Sequence, residues 1–96
     1  MSRAFVKEDG PQGPEHRYAL PDPGSPYYAE AAAWALIEGA DRGDSKGAEA
    51  ATGYRWGEEA LVPHVRTILE RAEREGHDRV AQLARRFLRA AGASAD

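Results

Sequence analysis

The chain has no cysteine, which excludes disulfides and thiolate chemistry and leaves the redox compartment open. No stretch approaches the roughly twenty apolar residues that span a bilayer. No early apolar run has the form of a signal peptide, so a soluble, cytoplasmic protein with no membrane contact is the expectation. Strand-like alternation and internal repeats are missing, and so are the zinc spacings, phosphate loops and nucleophile motifs that announce catalysis. His16, His64 and His77 share no ligand spacing with one another or with carboxylates, whereas a metal site needs converging ligands. The reading is therefore of a protein without metal or cofactor, more a binder than an enzyme.

The strongest pattern present lies between Gly57 and Ala91. Val80, Leu83, Ala84, Phe87, Leu88 and Ala91 fall on one helical stripe, and Leu61, Val65, Ile68, Leu69 and Ala72 form a second. Gly76-His77-Asp78 between them offers a C-terminal stop followed by an N-cap, which predicts an antiparallel helical hairpin. Pro63 falls in the first turns of the earlier helix, where its missing N–H costs little. Gly92 closes the later one, and residues 93–96 read as a frayed tail.

Upstream, residues 1–24 hold four of the six prolines and read as an extended arm, with Phe5 and Val6 as a small apolar anchor. The folded unit then spans residues 25–92. Ser25-Pro26 predicts a helix start, with the helix running from Pro26 to Glu38 and stopped by Gly39. Ala31 to Ile37 is apolar on every side, which predicts burial all round. Asp44 or Ser45 can cap a short helix from Lys46 to Thr52, ended by Gly53. Residues 46–57 are compatible with one helix or with a helix and a linker. Tyr54 and Trp56 are suited to filling the gap between helices, the alternative being an aromatic patch for a partner. The fold class is all-α: a small three- to four-helix bundle built on a C-terminal antiparallel hairpin, with an extended N-terminal arm. A core of about seventy residues is marginal, so docking on a protein partner or homo-oligomerisation is expected.

Charge divides unevenly. Residues 1–60 carry eleven acids and six bases, and residues 61–96 carry five acids and seven arginines. That is less basic than most nucleic-acid binders, although Arg79, Arg85, Arg86 and Arg89 lie away from the apolar stripe of the last helix. This face is either solvated or docks on acidic protein or phosphate. Asp41 and Asp44 flank a turn as turn former and cap, or jointly hold a divalent ion. Candidate contacts are thus Phe5, Val6, Asp44, Tyr54, Trp56, Arg79, Arg85, Arg86 and Arg89.

Two stretches resemble the Gre transcript-cleavage factors of bacteria. Met1-Ser2-Arg3-Ala4-Phe5-Val6-Lys7-Glu8-Asp9 is similar to the opening of Gre-like proteins. Gly43-Asp44-Ser45-Lys46-Gly47-Ala48-Glu49 resembles the acidic turn of their coiled-coil hairpin, with Glu58 to Glu75 similar to the returning helix. The resemblance implies RNA polymerase as partner and tip carboxylates that help hold a catalytic magnesium. Only Asp44 keeps an acidic position, because Lys46 stands where the second acid falls, and a lysine repels the ion. The expectation is accordingly a non-enzymatic helical interaction or regulatory module that docks on RNA polymerase. The alternatives are a nucleic-acid binder using the arginines, and a magnesium-assisted cleavage cofactor using Asp44.

Overall fold

A computed structural model describes residues 18–93. Phe5, Val6, His16 and most of the proposed arm lie outside the described residues, as do residues 94–96. Within them the protein is helical and contains no strand: α1 spans Tyr28–Asp41, α2 Ser45–Thr52, α3 Val62–Glu75 and α4 Asp78–Ala90, with a 3-10 turn at Glu59–Leu61. No described helix is long and apolar enough to cross a membrane.

The hairpin forms because the two stripes face each other. Leu61, Val65, Ile68, Leu69 and Ala72 are buried, and so are Leu83, Ala84, Phe87 and Leu88. Ala81 joins them, while Val80 is only partly buried, so the seam is slightly rotated from the sequence stripe. The fold-back is a Schellman closure: the N–H of His77 donates to the carbonyl of Ala72 at 2.8 Å, and that of Gly76 to Glu73 at 3.4 Å. Gly76 takes φ +76, a left-handed conformation that L side chains resist. His77 is the residue at the cap of α4 and Asp78 is the first helical one, so the helix starts one place earlier than a capping Asp78 implies.

α1 differs from its sequence expectation at both ends. Ser25-Pro26 builds a turn ahead of the helix instead of opening it: the Ser25 carbonyl accepts from Tyr28 N–H at 3.1 Å, and its hydroxyl accepts from Tyr27 N–H at the same distance. Gly39 does not stop the helix, which continues to Asp41. Its missing side chain serves a helix crossing: a Cβ here would lie 2.6 Å from Ala48 Cβ and 3.0 Å from the Asp44 carbonyl. The chain then turns through Gly43, at φ +75, into α2. Burial all round is also corrected. Ala32, Ala33, Ala35, Leu36 and Ile37 are buried, but Ala31 and Trp34 are only partly so.

The core is a single cluster with α1 as the third wall of the hairpin. Residues 53–58 form a linker, not a continuation of α2. Gly53 ends α2 at φ +80, and Glu49 Oε2 accepts from the Trp56 N–H at 2.7 Å. Trp56 meets Phe87 edge-on, with centroids 5.0 Å apart, and Tyr54 lies 6.4 Å from Tyr28. Such ring pairs contribute about 0.5–1.5 kcal/mol beyond their buried area. Gly57 lets this linker pass the end of α4, since a Cβ there would sit 3.0 Å from Ala90 Cβ. The stretch entering α1 is anchored as well. Tyr18 is buried, its hydroxyl donates to Asp44 Oδ2 at 2.8 Å, and the Arg42 guanidinium lies 5.3 Å from its ring centroid.

Candidate interaction surface

The residues singled out from sequence separate into committed and uncommitted groups. Asp44 receives the Tyr18 hydroxyl and so holds the incoming segment to the corner between α1 and α2. Asp41 instead receives Arg79 Nε at 2.9 Å, which ties α1 to α4. The two carboxylates thus face different partners, and among the described residues no group of three or more His, Asp or Glu is placed to hold a metal ion. Tyr54 and Trp56 are half-buried against other rings.

The arginine face is partly spent. Arg79 also donates to Gln82 Oε1, and Arg85 Nη2 reaches Glu73 Oε2 at 2.6 Å across the hairpin. These side chains are about half exposed, with 51% and 42% of their surface open, so each pair contributes at most a fraction of a kcal/mol to about 1 kcal/mol. Arg86 and Arg89 are exposed and form no ion pair among the described residues. Of these four arginines, two are thus left without an ion pair among the described residues.

A concave feature of a different kind lies elsewhere. Ala19, Pro21, Tyr27, Glu30, Ala31, Trp34, Ala35 and Glu38 line a groove of about 420 Å³ between the incoming segment and α1. Its floor is predominantly apolar, and Tyr27, at 69% exposure, stands at its edge. Tyr27, Glu30, Ala31, Trp34 and Glu38 recur at i, i+3, i+4, i+7 and i+11, one stripe along the helix. A smaller cleft of about 210 Å³ lies on the other side of Trp34, lined by Glu30, Trp34, His64, Thr67, Ile68 and Arg71. Glu30 and Trp34 belong to both depressions, so they join into one face on α1 and α3.

Sequence reasoning missed this face. The stripe was legible, but the alanines and leucine around it made the whole helix look interior. What leaves it open is topology: α2, α3 and α4 cover the other sides of α1, and the Tyr18–Gly24 stretch reaches only one rim.

Comparison with protein-family models, with curated proteins and with solved structures finds no match.

Proposed function

We propose that this protein is a non-enzymatic helical interaction module that docks an apolar protein segment flanked by basic residues on the outer face of α1. The groove around Trp34 is the observation that carries this reading. A contiguous apolar depression with a large exposed ring marks an interaction site more often than does a solvated charged face. Glu30 and Glu38 bracket Trp34 at four residues on either side, which favours Lys or Arg flanking the partner's apolar anchors. The same bracket disfavours a second copy as occupant, because antiparallel pairing about Trp34 sets Glu30 of one chain opposite Glu38 of the other.

The likeness of Met1–Asp9 and of the Gly43–Glu49 turn to Gre factors makes bacterial RNA polymerase the first partner to try. In a binding titration with purified core polymerase, the native chain should bind, and Trp34→Ala should weaken binding by at least about tenfold, as central aromatic anchors do. Absence of native binding overturns the polymerase assignment. Binding that ignores Trp34→Ala but falls with Arg86→Ala plus Arg89→Ala moves the contact to α4 and overturns the groove.

A further inference from the structure

We propose that the cleft between α1 and α3 binds a free α-amino acid with an apolar side chain, held as its zwitterion. The cleft, of about 210 Å³, lies below the roughly 300–1,000 Å³ of pockets for drug-sized ligands, which sets the scale at one small molecule. Its two charged residues are of opposite sign. Glu30 comes from α1 and Arg71 from α3, yet the two do not pair with each other, and neither forms an ion pair among the described residues. His64, Thr67, Ile68 and Arg71 stand at i, i+3, i+4 and i+7, so one face of α3 supplies them all.

This lining selects among ligand classes. A phosphate or other simple anion suits the Arg71 guanidinium but is repelled by Glu30, and a simple cation meets the reverse. An overall neutral ligand carrying both charges satisfies each wall. The guanidinium fork takes a carboxylate through two parallel N–H donors, and the Glu30 carboxylate accepts from an ammonium. Thr67 Oγ1 already donates to the Pro63 carbonyl at 3.2 Å, which leaves its lone pairs for a donor such as that ammonium. Half-buried Trp34 and buried Ile68 provide the apolar wall against which the ligand's side chain packs.

The test is a titration of the isotope-labelled full chain with L-leucine, followed by amide chemical shifts. Saturable shifts are expected in residues 30–38 and 64–71. Leucinamide, which lacks the carboxylate, and N-acetyl-leucine, which lacks the ammonium, should each bind roughly tenfold or more weakly, the loss of one charge-assisted contact. Arg71→Met and Glu30→Gln should reproduce those two losses. Both side chains are exposed, so the variants keep the fold, which an unchanged Tm confirms. Absence of saturable shifts with leucine overturns the proposal. So does N-acetyl-leucine or inorganic phosphate binding as well as leucine, since either makes the cleft a plain anion site. Arg71 lies outside the apolar groove, so Arg71→Met leaves partner docking there intact and separates the two ideas.

Discussion

The two halves of the bundle use apolar residues differently. In α3 and α4 the apolar side chains form narrow stripes, and the partner helix together with α1 covers them almost completely. In α1 they surround the helix, and three neighbours cover only part of it. The hairpin's stripes are used up within the shared core, whereas α1 and its cap residue keep a remainder, Tyr27, Ala31 and Trp34, open along a groove. The contrast teaches that an amphipathic stripe specifies its own coverage, while all-round apolarity leaves open which face stays uncovered. That open face is where we place the function, with the hairpin as scaffold.

The contrast can be broken by substitution, most forcefully at Phe87. Phe87→Ala removes a fully buried ring that also meets Trp56, and should cost about 3–5 kcal/mol and unfold the whole unit. Denaturant melts followed by circular dichroism check it, and an unchanged midpoint contradicts the shared core. Gly39→Ala tests how closely α1 approaches α2. The new methyl meets Ala48 Cβ and the Asp44 carbonyl, so about 1–3 kcal/mol should be lost despite the better helix propensity of alanine. A stabilised variant would show that the crossing is looser than described. Tyr18→Phe removes the hydroxyl donated to Asp44 and should cost about 1 kcal/mol, read in the same melts. Asp41→Ala breaks only a half-exposed pair with Arg79 and should cost roughly 0–1 kcal/mol, diminishing further in high salt. The double variant at Arg86 and Arg89 should leave the unfolding free energy within about 0.5 kcal/mol of native. Its effect on any salt-dependent RNA or DNA binding measures how much of a nucleic-acid role these two arginines carry.

How far the sequence reveals this varies with position. The hairpin was legible almost residue by residue because periodicity, Gly76 and the buried seam all encode the same arrangement. The short helix was legible to within a residue, expected from Lys46 and found from Ser45 with its stop at Gly53, although the Asp44 side chain turns to Tyr18 and makes no capping bond. Gly39 was misread because a glycine near a helix end has two physical uses, stopping a helix or admitting a neighbour, and only the position of Ala48 decides between them. Tyr18 was placed with the proline-rich arm because its anchor, Asp44, lies twenty-six residues away. The groove escaped for a similar reason: Ala19 and Pro21 look like arm residues until the fold sets them beside Trp34. The arginines were overcounted as free charges because Glu73 and Asp41, which engage Arg85 and Arg79, come from other helices.

The most direct measurement replaces Trp34 with a photo-crosslinking phenylalanine analogue in the full chain, expressed in its own host, with the same replacement at Arg86 for comparison. Mass spectrometry of the adducts then reads the captured peptide. Adducts are expected from position 34, carrying an apolar segment flanked by Lys or Arg, and few from position 86. Adducts from position 86 alone, or capture at position 34 of acidic segments or of a second copy of this chain, would contradict docking of such a segment on α1.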